Sequence, residues 1–260
     1  MGKSAMHSHA ETIYSMGFLG LFWAVVFFAA SPFFGIDFRL DSASLPTLFI
    51  RVILEILVAY LVIRAISVAD RTTTAFLALL TIPLLLIVDI SIGYRLQPMQ
   101  IIGVLVILAA LASLFGHNPK DKPGVKLVIL AAIMAVATTS LYKYNITNYN
   151  SVAGEQLVVT SCLLLFFGLF SGIKTREHPI RLLFRPFSGV QSLFNGLGIA
   201  ALSFAYLLAP PSIVITLKRS LSLLWAIFFG RAFFHEKALG HKLIGFAVVV
   251  VGITLITFGQ

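Results

Sequence analysis

Polar residues interrupt this chain roughly every 20 positions, and the stretches between them are almost wholly apolar. Runs of that length match what a helix needs to cross a bilayer. They show neither the strict alternation of a strand nor the narrow apolar stripe of a soluble helix. The punctuation predicts helices over 17–36, 46–68, 72–93, 98–116, 125–145, 150–173, 189–208, 212–234 and 241–258. Only Tyr94-Arg95-Leu96-Gln97 divides the third from the fourth, and only Ala209-Pro210-Pro211 the seventh from the eighth. Such tight turns imply antiparallel neighbours. Pro98 and Pro211 suit the first turn of a helix, where a missing N–H costs nothing.

Composition narrows the class. Of the 260 residues, 59% are hydrophobic and 11% charged, against about 45–50% and about 25% in soluble domains. A soluble globule could not hide that much apolar surface. Disorder is excluded by the same figures, and a disulfide scaffold by the single Cys162. About nine spans of ~20 residues leave too little chain for a soluble catalytic domain. The expected fold is an all-α polytopic membrane protein.

The net charge of +9 would suggest nucleic acid in a soluble protein. Here its distribution reports topology. Lys3, Arg71, Lys120, Lys122, Lys126, Lys174, Arg176, Arg181, Arg185, Lys237 and Lys242 all fall in one set of loops and their flanks, and only Arg39 and Arg95 in the other. The positive-inside rule then puts the N-terminus in the cytoplasm and the C-terminus outside. Residues 17–30, ending in Ala29-Ala30-Ser31, also read as a secretory leader, but the preceding segment is long and nearly uncharged. His7 and His9 read as solvated tail residues. His235-Glu236 with His241 lacks the one-turn histidine spacing of a zinc hydrolase. Asn145-Ile146-Thr147 is a glycosylation sequon at a span end.

Residues 65–116 resemble residues 205–258. Both copies have a short turn after an alanine (Ala69, Ala209), a long span, a basic loop and a glycine near the last span's start (Gly103, Gly245). The copies are five spans apart, an odd number, so they run in opposite directions through the bilayer. That predicts two inverted repeats of four and five helices, a recurring plan of secondary transporters. The corresponding organisation is a tail 1–16, a first repeat 17–116, a linker 117–124 and a second repeat 125–260.

The Ala205–Pro211 turn, the long span after it, Gly230, Phe233-Phe234-His235-Glu236-Lys237, Leu243-Ile244-Gly245 and Gly252 together resemble the EamA-type domains of the drug/metabolite transporter superfamily. The first copy is similar but has Arg95 where an acidic residue is expected. Thr216-Leu217-Lys218-Arg219 resembles the Lys–Arg pair of triose-phosphate and nucleotide-sugar translocators. The resemblance implies a transporter in which Lys218 and Arg219 hold a phosphate or other anion. Ten spans with both ends cytoplasmic are usual in the superfamily, one more than the charge pattern predicts here.

Flanking lysines aside, nine charged residues fall within the predicted spans: Arg51, Glu55, Arg64, Asp89, Lys143, Glu155, Lys218, Arg219 and Arg231. Intramembrane charges are expensive and face protein or water. Arg64 and Arg231 lie near the basic face and read as snorkelling groups. The other seven lie in the outer halves of their spans, which suggests a polar vestibule or a ring of interfacial anchors. Arg51 and Glu55, spaced i, i+4, could pair on one face. Expected substrate contacts are Lys218, Arg219, Arg51 and Lys143. Glu155, Asp89 and Glu55 are expected as proton carriers or counter-ions. Tyr142, Tyr144 and Tyr149 read as an interfacial aromatic belt, Gly168 and Gly172 as a GxxxG contact, and Gln191 and Asn195 as supplementary donors.

The functional expectation is a secondary transporter, in a bacterial inner membrane, of a small phosphorylated or carboxylated metabolite or a phosphate-bearing lipid head group. A membrane-embedded transferase or hydrolase of lipid phosphates, or a non-transporting scaffold, is the alternative. No span carries a histidine-based catalytic motif or a metal cluster, so no enzyme, cofactor or metal is expected. Expected partners are the anionic solute, the lipid bilayer and a second copy in a homodimer, with no nucleic acid.

Overall fold

The computed structural model describes residues 13–68, 78, 80–94, 97–115, 124–175, 178–234, 247–248 and 250–256. The helices are α1 (Ile13–Ala30), α2 (Leu45–Val68), α3 (Thr81–Ile92), α4 (Pro98–Phe115), α5 (Val125–Asn148), α6 (Val152–Thr175), α7 (Pro179–Leu183), α8 (Pro186–Leu208) and α9 (Pro211–Phe234). Residues 250–256 are also helical, and short 3-10 turns cover Ser31–Phe34 and Ser42–Ser44. No strand occurs among the described residues. Hydrocarbon offers backbone groups no partners, and a helix satisfies them within its own segment. Stretches Gly17–Phe34, Ser42–Val62, Val125–Asn148, Val152–Ile173 and Ser188–Leu208 are each long and apolar enough to cross a membrane. The protein is therefore all-α and multi-pass.

Local chemistry sets several helix ends. Pro98, Pro186 and Pro211 each open a helix, where no intrahelical donor is lost. Gly93 closes α3 at φ +97 and returns its N–H to the last turn, a left-handed conformation that a Cβ disfavours. The segment 174–188, expected as loop, contains the single-turn α7. Residues 69–77, 116–123 and 235–246 lie outside the described residues, and with them fall the predicted repeat turn after Ala69 and the His235-Glu236-Lys237 motif. The same holds for Lys3, His7, His9, Arg95 and Arg176.

Contacts divide the chain into two compact units, Met1–Ala59 with Leu141–Leu208, and Tyr60–Ser140 with Ala209–Gln260. Each unit draws on both predicted sequence halves, and α2 and α5 contribute to both units.

In the first unit, α1 packs against both α6 and α8. Ser15 and Ser171 share a hydroxyl hydrogen bond of 2.8 Å. The Ser192 hydroxyl donates to the Leu19 carbonyl, and Asn195 Nδ2 donates to the Gly20 carbonyl at 3.1 Å. Ala24 and Phe28 are fully buried. A helix placed this way is a core member of the first unit. Close approach depends on Gly196, where a Cβ would stand 2.6 Å from Trp23 Cβ and 2.8 Å from the Ala24 nitrogen. Small residues permit such contacts between membrane helices. Gly196→Leu is expected to lower stability by about 1–3 kcal/mol, while Gly198→Leu, with nothing within 4 Å of its Cβ, changes it little. Thermal unfolding in detergent measures both, and equal midpoints would contradict the packing. Leu48, Val52, Ile56 and Ala59 of α2 complete this core against Val158, Val159 and Leu163 of α6.

In the second unit α9 packs on α3 and α4. Ile82, Leu86, Val104, Ile107, Ile213 and Ile256 form its core. Gly103 faces Gly252, and a Cβ on Gly103 would lie 2.8 Å from the Gly252 carbonyl oxygen. Ala65 of α2 packs on Val128 of α5.

Candidate functional site

The first unit encloses a polar centre built on α2, α5 and α6. Arg51 Nη1 donates to Glu155 Oε1 at 2.7 Å, with the two side chains 3% and 0% exposed. Its Nη2 donates to Gln156 Oε1 at 3.3 Å. The guanidinium lies 4.3 Å from the centroid of the Tyr142 ring, a geometry in which the ring's negative face attracts the cation. Glu155 receives further donors: Asn145 Nδ2 at 2.8 Å on Oε1 and Asn150 Nδ2 on Oε2. Thr47 in turn donates to Asn145 Oδ1 at 2.7 Å. Both carboxylate oxygens are thus occupied, and the geometry supports Glu155 as the counter-ion of Arg51. The i, i+4 pair proposed for Arg51 and Glu55 gives way to this longer-range one: Arg51 reaches across to α6, and Glu55 is half-buried one turn further along α2.

Local sequence explains why Glu155 is at hand. Ser151 precedes α6 and its hydroxyl accepts from the Gly154 nitrogen at 3.2 Å, an N-cap. The cap starts the helix so that Glu155 falls in its first turn, where the helix dipole favours an anion.

Two other intramembrane charges serve helix ends. Lys143 is buried and donates Nζ to the Tyr206 carbonyl, and Tyr142 donates its hydroxyl to the Ser203 carbonyl at 3.0 Å. Both acceptors belong to the last turns of α8, where a cation complements the dipole. The rings of Tyr142 and Tyr206 meet edge-on at 5.4 Å. In the second unit the buried Asp89 accepts from the Ser212 backbone nitrogen at 2.8 Å, at the first turn of α9, where an anion is favoured. Asp89→Ala is expected to cost about 1–2 kcal/mol of stability and Asp89→Asn less. Thermal unfolding decides this, and equal effects of the two would refute a capping role.

Lys218 and Arg219 lie on the same α9, with Lys218 exposed and Arg219 half-buried. They sit beside a fully buried hydroxyl row, Ser212, Thr216 and Ser220, spaced one helical turn apart. Of the remaining expected groups, Arg64 lies 5.8 Å from the Tyr60 ring centroid, Tyr144 and Tyr149 share a hydroxyl contact of 3.3 Å, Gln191 is exposed and Asn195 serves α1. The Gly168 Cβ position touches Phe18 while that of Gly172 meets nothing. The side chain of Arg231 lies outside the described residues. The sequon asparagine Asn145 is fully buried and bonded to Glu155, out of reach of a glycosyltransferase. Among the described residues no three His, Cys, Asp or Glu side chains cluster to hold a metal ion.

Sequence reasoning read Asn145 only as a sequon and missed Asn150, Gln156, Ser44 and Thr47. The available signal was a run of hydrogen-bonding residues, Asn145 to Gln156, in an otherwise apolar chain.

A family comparison agrees with the helical membrane bundle. The profile of the EamA-like transporter family matches residues 122–258. The chain belongs to the EamA-like transporter family. Members of this family are transporters rather than enzymes, so this EamA-like protein is a multi-pass membrane transporter of small molecules. No curated protein matches the chain. A solved crystal structure superposes with a TM-score of 0.73 over 99% of this chain and 94% of that one, at 16% sequence identity. At that identity the likeness concerns the fold alone.

Proposed function

We propose that this EamA-like protein is a secondary transporter of a small anionic solute, phosphorylated or carboxylated, or of a phosphate-bearing lipid head group. The observation that carries the reading is the Lys218–Arg219 dyad. Lys218 presents an exposed side chain about 10 Å along a membrane helix from its first residue. A cation at that depth needs water or an anion. Arg51 and Lys143 serve Glu155 and the Tyr206 carbonyl. The dyad therefore binds the anion by charge-assisted hydrogen bonds, and Arg51 and Lys143 brace helices within the first unit. Transport proceeds by alternating access between two inverted repeats, with the N-terminus cytoplasmic and the less basic face outward.

The test is uptake by purified protein in proteoliposomes across matched phosphorylated, carboxylated and neutral sugars. Preferential uptake of anions, lost in the Lys218→Ala, Arg219→Ala double variant, supports the reading. Uptake of neutral solutes unaffected by that variant overturns it. So does chemical alteration of a lipid phosphate with no solute crossing.

A further inference from the structure

We infer that residues 35–44 form a strap that closes the Arg51–Glu155 centre at the membrane face where α1 joins α2, with Asn150 as its latch. The strap is exposed almost throughout, apart from buried Ser44 and half-buried Ile36. Its hydrogen bonds beyond its own neighbourhood converge on two consecutive residues. The Arg39 nitrogen donates to Ser151 Oγ at 2.8 Å, and the Ser151 nitrogen donates back to the Arg39 carbonyl at 2.9 Å. The Asp41 nitrogen donates to Asn150 Oδ1 at 2.8 Å, and Ser44 Oγ donates to the same oxygen at 3.0 Å.

The strap lies directly on the first turn of α6. A Cβ on Gly154 would stand 2.6 Å from the Arg39 carbonyl oxygen and 3.2 Å from Leu40 Cγ. The next residue is Glu155, fully buried. Asn150, itself buried, holds the strap with its carbonyl oxygen and donates its amide to Glu155 Oε2. One side chain thus touches both the exposed strap and the buried ion pair.

A segment held by a few peripheral hydrogen bonds opens at far lower cost than the packed helices beneath it. Opening admits water to the first turn of α6. Water weakens the attraction between Arg51 and Glu155 by raising the local dielectric. The charged groups next to the latch are Glu155 on α6 and, paired with it, Arg51 on α2, with Tyr142 on α5 stacked behind Arg51; the Asp41 carboxylate of the strap accepts from the Ala43 nitrogen at 2.9 Å. The strap makes access to this centre conditional, and it does so whatever the charge of the transported solute.

The experiment uses the full chain in lipid nanodiscs. Hydrogen–deuterium exchange read by mass spectrometry follows peptides over 35–44, α1, α6 and α8, and a water-soluble carbodiimide reports access to Glu155. Asn150→Ala is expected to speed exchange over 35–44 roughly tenfold and to raise Glu155 modification in step, with α1 and α8 unchanged. Ser151→Ala, which removes a strap bond and leaves the donors of Glu155 in place, is expected to speed exchange over 35–44 as well. Exchange in the unsubstituted protein as fast as in both variants would overturn the strap. Faster exchange in Asn150→Ala with unchanged Glu155 modification would overturn its closure of the centre.

Discussion

Arg51→Ala is expected to destabilise the protein by about 3–5 kcal/mol, the cost of stranding one member of a buried ion pair. Glu155 would keep its two asparagine donors but lose its cation at 0% exposure. Glu155→Ala strands Arg51 in the same way, with Gln156 and the Tyr142 ring left to it among the described residues. The double variant Arg51→Met, Glu155→Gln is expected to recover most of the loss, because a neutral pair of similar volume carries no desolvation penalty. The cycle completed by the single variants Arg51→Met and Glu155→Gln should therefore be strongly non-additive. For a chain of this size the single variants correspond to a fall of about 6–20 °C in unfolding midpoint. Additive losses would mean that the pair does not act as one unit joining α2 to α6.

The second large effect concerns transport rather than stability. Lys218→Ala and Arg219→Ala are each expected to weaken anion uptake roughly 10- to 150-fold, the worth of one hydrogen bond to a charged group, and together by roughly 10²–10⁴-fold. Lys218→Ala should leave the unfolding midpoint near that of the unsubstituted protein, since an exposed Lys218 contributes little packing. Arg219→Lys is informative beyond the alanine pair. A guanidinium can grip a phosphate with two parallel donors and an ammonium cannot, so this conservative change should also reduce uptake of phosphorylated solutes. Concentration-dependent uptake of a labelled sugar phosphate, with its neutral sugar as control, measures all three. Unchanged apparent affinity for the phosphate would remove the dyad from the site.

The helices were legible because their signal is local. A run of about 20 apolar residues is sufficient to specify a helix in lipid, and the described ends of α2, α4 and α9 fall within one residue of the sequence prediction. The partners of the charges were not legible to the same degree. Helical periodicity joins Arg51 to Glu55, whereas the partner that Arg51 finds lies 104 residues away on α6. Asp89 and Lys143 stood out as intramembrane charges, yet their work at the ends of α9 and α8 depends on which helix end packs beside them. Asn150 passed unnoticed because an asparagine in a turn is ordinary. Its place between Asp41, Ser44 and Glu155 makes it the latch.

The sequence by itself determined that this chain is a helical membrane protein, where several of its helices begin and end, and which transporter family it resembles. Those properties follow from the contrast between apolar and polar residues along the chain, which lipid enforces segment by segment. Tertiary structure decided which charges neutralise each other, which cap helix ends and which stay exposed. An ion pair or a cap requires atoms within about 3 Å, and only packing brings residues from distant helices to that distance.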